Sequence, residues 1–158
     1  MELDGREFRN VLGTFATGIC VITAMSENDE PFGMTVNSFA SVSLDPALVL
    51  WSLQNDSDCW PAFELAEKYA VNVLAADQQN LSALYAQKGK HILQPDHYTV
   101  GDYGLPIIAG AVSSFECSVW ARYPGGDHTI LIGEVKRIDS DSSKQPLVFN
   151  AGQYRELR

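Results

Sequence analysis

Positive charge is scarce in this sequence. Eleven Lys and Arg residues stand against 20 Asp and Glu residues, which gives a formal net charge of −9 at pH 7. Nucleic-acid-binding proteins need a basic surface to contact phosphates, and anionic membrane surfaces attract basic segments. We therefore expect neither nucleic acid nor a membrane among the partners of this protein.

Cysteine is also scarce. The three cysteines are Cys20, Cys59 and Cys117, and their spacing matches neither a zinc motif nor a C-x-x-C redox motif. An odd number of cysteines in a chain of this length favours free thiols in a reducing compartment. The charged first ten residues do not resemble a signal peptide, and no apolar run approaches the length of a membrane span. These features predict a cytoplasmic protein.

Familiar catalytic and nucleotide-binding motifs are absent as well. The sequence contains no G-x-S-x-G, no H-E-x-x-H, no Walker loop and no G-x-G-x-x-G after a strand. The three histidines show no ligand pair on one helix or strand, so we predict no metal site. Two of them, His91 and His97, lie in a predicted loop and are expected to be solvated.

Strand-like runs dominate the chain, and two or three helices interrupt them. Asp4 followed by Glu7 predicts a helix N-cap box, with an apolar helical stripe after it. Apolar or β-branched runs predict strands near residues 19–24, 32–45, 48–53, 69–74, 115–121 and 128–135. No regular β-α-β-α alternation is present. We therefore predict a mainly β fold, a β-barrel with flanking helices, formed by one domain over residues 1–158.

The most informative segment is Gly33–Pro46, which has no charged residue from Thr35 to Leu44. In one continuous strand, small polar side chains would lie on one face and a nearly apolar row on the other. The polar face would carry Thr35, Asn37, Phe39, Ser41 and Ser43. Such neutral donors and acceptors suit a flat heteroaromatic ligand with a phosphate tail. A water-facing polar strand is an equally supported alternative.

Two further places are candidates for ligand contact. Asn55 and Ser57 lie at a predicted strand-to-helix junction, where free backbone N–H groups attract a phosphate. Simple N-capping is the alternative there, and Asp56 and Asp58 would repel an anion. His128 opens a strand after a Gly-Gly-Asp turn, where its side chain can reach a ligand or cap the turn.

Five blocks of this sequence and its C-terminal tail resemble the short-chain flavin reductases, the reductase components of two-component flavin monooxygenases. The blocks lie at residues 8–23, 33–46, 55–57, 69–78 and 126–135, and the tail is P-L-V-F to G-Q-Y at 146–154. Each block alone is only moderately specific. Their order and spacing cover the chain almost end to end, which makes the resemblance strong.

The resemblance implies an FMN-binding split β-barrel of Greek-key type, usually a homodimer. It implies hydride transfer from NADH or NADPH to FMN or FAD, and supply of reduced flavin to a partner oxygenase, by contact or by free diffusion. The implied flavin-binding positions are Met34, Thr35, Val36, Asn37, Ser38, Ser41, Val42, Ser43, Asn55 and Ser57. The implied catalytic residue is His128, beside the flavin and the nicotinamide.

The sequence departs from the family pattern in two places. Ala47 follows Asp45-Pro46 where relatives commonly have a second Pro, and Asp56 and Asp58 stand where many relatives carry Arg or Lys. The choices between FMN and FAD, and between NADH and NADPH, stay open. Two alternative functions also stay open: a pyridoxamine-phosphate-oxidase-like flavoenzyme, which usually needs more Arg and Lys, and a non-catalytic flavin-binding protein.

Overall fold

A computed structural model describes residues 1–158. The helices are α1 (Gly5–Leu12), α2 (Trp60–Leu65) and α3 (Gln79–Tyr85), and a 3₁₀ turn lies at Pro95–His97. The strands are β1 (Thr17–Gly18), β2 (Cys20–Met25), β3 (Pro31–Val36), β4 (Ala40–Leu44), β5 (Ala47–Gln54), β6 (Lys68–Val73), β7 (Tyr98–Val100), β8 (Pro106–Ile108), β9 (Ser113–Gly125), β10 (His128–Ser140), β11 (Val148–Asn150) and β12 (Gln153–Arg155). None of the helices has the length and apolar character needed to cross a membrane.

Seven strands form one antiparallel sheet in the order β3-β2-β6-β9-β10-β5-β4. Its longest pair is the β9–β10 hairpin, and two small sheets, β1-β11-β12 and β7-β8, accompany it. The sheet does not close into a ring, because β3 and β4 form its two opposite edges. The architecture is therefore mainly β and has the open character of a split barrel.

The segment between Gly33 and Pro46 is two strands, so the prediction of one continuous strand was wrong. β3 ends at Val36, and β4 begins at Ala40 on the opposite edge of the sheet. Ser38 fixes the crossing, because its hydroxyl donates to the Ser52 carbonyl at 3.2 Å and accepts from the Ser52 N–H at 2.9 Å. The chain passes from one edge to the other at residues 37–39, and the alternation of faces restarts there.

β4 is irregular. Ser41 pairs with Val49 and Ser43 pairs with Leu48, so Val42 is a bulged extra residue. The bulge breaks the two-residue alternation that the sequence pattern assumed. As a result Val42 and Leu44, members of the expected apolar row, are 45% and 98% exposed.

The main core is a cluster of 13 buried residues centred on aromatic side chains. The Trp51 ring meets the Phe63 ring edge-on at 4.8 Å and the Tyr69 ring at 5.8 Å. Large aromatic side chains supply much of the buried apolar area of a small domain. A second cluster of seven residues, including Tyr85 and Leu147, joins α3 to the C-terminal tail. These two clusters fix the strands that carry the candidate site.

Helix α1 begins as the sequence predicts and then leaves its apolar stripe uncovered. The Asp4 carboxylate accepts hydrogen bonds from the N–H groups of Arg6 at 2.8 Å and Glu7 at 3.3 Å. No residue of α1 is buried. The exposed apolar residues, here called the α1 stripe, are Phe8, Val11, Leu12 and Phe15. A stripe of this size on a helix normally packs against another surface.

Candidate active site

A cavity of about 610 Å³ lies where the end of α1, the 37–39 crossing and the C-terminal hairpin meet. Its walls include Thr17, Asn37 and Phe149. A smaller cavity of about 230 Å³ shares Asn37 and Phe149 and adds Thr35 and Tyr154. We call the two together the β3 cleft. Their volumes suit a flat ring system with a polar edge.

Thr17 gives the β3 cleft an unmet hydrogen-bonding group. Its Oγ1 is buried and has no hydrogen-bond partner in the chain. A buried hydroxyl without a partner costs about 1–3 kcal/mol, and a polar ligand atom in the cavity would remove that cost. Arg9, also on the cavity wall, adds a positive charge. The cleft therefore fits a ligand with polar groups and an anionic part, as a flavin nucleotide has.

Two hydroxyls of the predicted flavin-binding set are engaged in structural hydrogen bonds. The Thr35 hydroxyl donates to the Ser82 carbonyl of α3 at 2.8 Å, and the Ser82 and Tyr154 hydroxyls are 2.9 Å apart. The Ser38 hydroxyl is used in both directions by Ser52. These side chains therefore build the wall of the cleft and its crossing. At these two positions the side-chain hydroxyls are therefore already hydrogen-bonded within the chain.

The remaining members of the Gly33–Pro46 set divide between the cleft and the edge of the sheet. Val36 and Asn37 line the cleft, and Met34 packs against the main core. Ser41 and Val42 lie exposed on β4, and Ser43 is half-buried there. A ligand seated in the cleft would have to extend past Asn37 along this edge to reach them.

Asn55 contacts the turn between β9 and β10 rather than the cleft. Its N–H donates to the Asp127 carbonyl at 2.9 Å, and its side-chain carbonyl accepts from the Thr129 hydroxyl at 2.7 Å. Its amide nitrogen donates to the Gly126 carbonyl at 3.5 Å. Ser57, two residues on, accepts a hydrogen bond from the Cys59 N–H at 3.1 Å, a capping contact before α2. Asn55 thus contacts three residues around the turn, two before His128 and one after it.

The β9–β10 turn presents His128 with a defined orientation. Gly126 and Asp127 form a two-residue turn, and Gly126 has φ +68°, which glycine adopts without strain. His128 Nδ1 lies 2.7 Å from the Asp127 carboxylate. This hydrogen bond, with the nearby imidazole charge, lowers the pKa of Asp127. Since the carboxylate accepts from Nδ1–H, Nε2 of the half-exposed imidazole is left free for a ligand.

His91 and His97 are half-buried and hydrogen-bonded to other parts of the chain, whereas solvated side chains were expected. His97 Nδ1 is hydrogen-bonded to the Tyr85 hydroxyl at 2.7 Å. His91 Nδ1 donates to the Gly33 carbonyl at 3.0 Å, and its Nε2 lies 2.9 Å from Asp58. The predicted loop packs its histidines against α3 and β3, a long-range contact that local sequence does not reveal.

The predicted free thiols are present, and all three cysteines are buried. Burial raises the pKa of Cys20 and of Cys117 to about 12. Burial, with a smaller effect of the Asp58 charge, does the same for Cys59. Such thiols are protonated at neutral pH and are not nucleophiles.

Several cleft residues were missed by sequence reasoning. Arg9 and Thr17 lie in the first family block, and Phe149 and Tyr154 lie in the C-terminal tail, but neither stretch carries a pattern that indicates a ligand. The fold brings these four residues together, because β1 near the start of the chain pairs with β11 near its end.

Known proteins resemble this chain over nearly its whole length. Residues 12–158 match the family described as "Flavin reductase like domain". The FMN reductase (NADH) SmoA of Agrobacterium fabrum is 46% identical over 151 residues, which are 96% of this chain and 85% of that protein. The flavin-dependent monooxygenase reductase subunit HsaB of Rhodococcus jostii is 36% identical over 96% of this chain and 77% of that protein.

Solved structures agree with these relatives. The NADH:FAD oxidoreductase SgcE6 of Streptomyces globisporus, in complex with NAD and FAD fragments, superposes with a TM-score of 0.92 at 36% identity. It matches 100% of this chain and 98% of its own. The flavin reductase PheA2 in its native state has a TM-score of 0.89 at 39% identity, with 99% of both chains covered.

The open antiparallel sheet and the relatives together identify a flavin oxidoreductase of the split-barrel class. The chain belongs to the flavin reductase-like family. The predicted family, the mainly β split-barrel fold and the enzyme class are thereby confirmed. So is the predicted use of a flavin with a nicotinamide donor, since relatives are named as NADH-dependent reductases of FMN and FAD.

Proposed function

We propose that this chain reduces a flavin nucleotide with NADH and supplies the reduced flavin to a separate monooxygenase component. The observation that carries the proposal is the β3 cleft, in which the unpartnered Thr17 hydroxyl lies in the wall beside Asn37. Relatives support the donor and the destination: they include an FMN reductase (NADH) and several reductase components of monooxygenases. When bound together, the nicotinamide supplies a hydride and the flavin ring accepts it.

We assign different tasks to the predicted flavin-binding residues. The Asn37 amide and the backbone from Thr35 to Ser38 would hydrogen-bond the polar edge of the ring. Such donors also stabilise the negative charge of reduced flavin. Met34 and Val36 support this wall from the core side. Ser41, Val42 and Ser43 continue along β4, where a ribityl chain or phosphate would lie.

We assign His128 to the nicotinamide side of the reaction. Asp127 holds its Nδ1, so Nε2 faces outward from the turn. Asn55 and Thr129 hold the backbone of that turn. Orientation of two rings at reaction distance is the main contribution that a protein makes to hydride transfer, and His128 would provide it on one side. Asn55 acts through His128, while Ser57 holds the junction that carries Asn55.

A homodimer would complete the site. His128, Asn55 and Ser57 line neither cavity of the β3 cleft in one chain. Leu12 and Phe15, both exposed members of the α1 stripe, do line the larger cavity. A second copy packed on the α1 stripe would bury these side chains and close the cleft from solvent. We also propose that reduced flavin, once released from the site, reaches the oxygenase by free diffusion.

We also propose that residues 1–158 work as one reductase domain in the cytoplasm. The three unpaired cysteines support this location, because oxidising compartments favour disulfides.

The test is NADH oxidation by purified protein, with and without added FMN or FAD and without oxygen. We expect NADH absorbance to fall only when flavin is present. The fall should stop when all the added flavin is reduced, with one NADH oxidised per flavin. A bound flavin that NADH never bleaches would support the non-catalytic alternative instead. In a separate assay with oxygen present, turnover of a pyridoxamine phosphate without NADH would support the oxidase alternative. Size-exclusion chromatography with light scattering tests the dimer.

A further inference from the structure

Three side chains of metal-ligand type meet outside the β3 cleft, at the junction between β5 and α2. Their donor atoms belong to Asp58, Cys59 and His91, and all lie within 4.8 Å of one another. Around a tetrahedral zinc, with bonds of about 2.0–2.3 Å, donor atoms stand about 3.3–3.7 Å apart. The cluster is therefore close to the separation that one ion requires. It draws on two segments more than 30 residues apart, which is why the sequence spacing did not reveal it.

His91 is held as metal-ligating histidines commonly are. Its Nδ1–H donates to the Gly33 carbonyl at 3.0 Å, which fixes the ring and leaves Nε2 toward Asp58. Its backbone is fixed as well, because the Gly33 N–H donates to the His91 carbonyl at 2.8 Å. The imidazole is thus oriented by β3 before any ligand arrives.

Asp58 is positioned by the same loop. One carboxylate oxygen accepts from the Gly89 N–H at 2.7 Å, and the other lies 2.9 Å from His91 Nε2. Two electron-rich atoms held this close require a positive charge between them. A metal ion bound between these atoms would supply that charge.

Cys59 and a neighbouring cavity complete the arrangement. The Cys59 residue is 4% exposed, and it lines a cavity of about 350 Å³ together with Asp58, His91 and Glu30. The cavity gives an ion a path from solvent and room for a water ligand. Glu30 on its wall adds negative charge, which favours a cation.

We propose that Asp58, Cys59 and His91 form a binding site for a thiophilic divalent cation, with Zn²⁺ the best match. Thiolate, imidazole and carboxylate together are the ligand types that zinc takes in proteins, and a water in the fourth position completes the tetrahedron. Binding replaces the proton of the Cys59 thiol, which leaves to solvent as the sulfur–metal bond forms. The ion ties the β5–α2 junction to the 88–91 loop and β3.

The site rests on no part of the proposed reductase function, so its test uses binding alone. Full-length protein, treated with chelator and dialysed, is titrated with Zn²⁺ against a chromophoric competitor. Co²⁺ is added separately, because a cobalt–thiolate bond gives a charge-transfer absorption that reports Cys59 directly. We expect one Zn²⁺ per chain, a cobalt–thiolate band and a raised melting temperature with Zn²⁺.

Variants decide where the ion binds. Loss of a second-sphere partner typically weakens metal affinity 10–100-fold, so His91→Ala and Cys59→Ser should weaken it at least about 100-fold. Asp58→Asn keeps the shape of the site and should weaken it as well. Cys117→Ser and His97→Gln remove a buried thiol and a half-buried imidazole elsewhere, and they should bind as the wild type does.

Three outcomes would overturn the proposal. They are absence of stoichiometric zinc in the wild type, absence of the cobalt–thiolate band, and equal zinc affinity in Asp58→Asn. Circular dichroism identifies any variant that fails to fold. If Cys59→Ser or His91→Ala fails to fold, the zinc affinity of Asp58→Asn decides the question, because that variant leaves the buried Cys59 in place.

Discussion

The β3 cleft and the β9–β10 turn carry the two halves of the proposed site, and they are held in different ways. The cleft is built by packing: its walls join the second core cluster, and the Thr35 and Ser38 hydroxyls fix its backbone. The turn projects from the sheet, and hydrogen bonds from Asn55 hold it. Packed walls resist single substitutions, whereas a turn held by one side chain does not. We therefore expect flavin affinity to depend on the cleft and reaction rate to depend on the turn.

The largest effect is expected for His128→Ala. Loss of the imidazole removes the group assigned to the nicotinamide, and misplacement of a reacting group can cost about 100-fold in rate. Flavin affinity should change little, because His128 does not line the β3 cleft. Stopped-flow reduction of bound flavin by NADH measures the rate, and flavin fluorescence titration measures the affinity. His97→Ala, which removes an imidazole beside Tyr85, is the control. Unaltered hydride-transfer kinetics in His128→Ala would contradict the proposal that His128 orients the nicotinamide.

Asn55→Ala should give the next largest effect, and it tests whether Asn55 acts through the turn. The substitution removes the acceptor of the Thr129 hydroxyl and the donor to the Gly126 carbonyl. We expect flavin reduction to slow about tenfold with unchanged flavin affinity, since two ordinary hydrogen bonds contribute about 1–3 kcal/mol in total.

Ser41→Ala is the matched comparison for Asn55→Ala. Ser41 lies on the exposed edge β4, where we place the flavin tail, so this variant should weaken flavin binding and leave the reduction rate at saturating flavin unchanged. If Asn55→Ala lowers flavin affinity and leaves the reduction rate unchanged, Asn55 is a phosphate ligand. The proposal that Asn55 acts by holding the β9–β10 turn is then wrong.

Thr17→Val distinguishes a ligand-binding hydroxyl from a packing defect. Valine keeps the shape of threonine and removes the unpartnered Oγ1. Without ligand, the free energy of unfolding should rise by about 1 kcal/mol, because a buried unpaired group is gone. Flavin affinity should fall about tenfold, which corresponds to about 1.4 kcal/mol.

The test for Thr17 is that the stability of the apoprotein should rise while its flavin affinity falls. Chemical denaturation of the apoprotein gives the first value, and flavin titration gives the second. Thr14→Val, which removes an exposed hydroxyl bonded to the Val11 carbonyl, is the control. A stabilised variant with unchanged flavin affinity would mean that the ligand does not reach this wall.

The two halves of the site also differ in how far the sequence predicts them. The G-D-H turn and the polar row are local patterns. His128 opens β10 where the turn pattern places it, whereas Asn37 lies in the 37–39 crossing and not in the predicted strand. The split at residues 37–39 was not predicted, because the Ser38–Ser52 contact joins chain segments 14 residues apart. The bulge at Val42 was missed for a similar reason, since it depends on register against β5.

Long-range pairing explains the other failures as well. Thr17 becomes part of a cavity only because β1 pairs with β11, and nothing near Thr17 in the sequence indicates the tail at Phe149. The predicted apolar face of α1 is correct for Phe8, Val11 and Leu12, while Phe15 lies beyond the end of the helix. Periodicity does not say whether this chain or a second copy covers that face. Periodicity predicts which face is apolar, while topology decides what that face meets.

The smallest effect is expected for Asp127→Asn. Asp127 is highly exposed, and an exposed ion pair contributes little, so reduction by NADH should slow only about two- to fivefold. The pH dependence has a defined sign. Because the Asp127–His128 hydrogen bond lowers the pKa of Asp127 below its ordinary 3.8, the carboxylate stays ionised and its contribution is full above that value. It is lost only as the pH falls through the lowered pKa. Titration of Asp127 should therefore contribute no change to the ratio of wild-type to Asp127→Asn rates as the pH falls from 7 to 5, and a ratio that changes in this range reports a different titrating group.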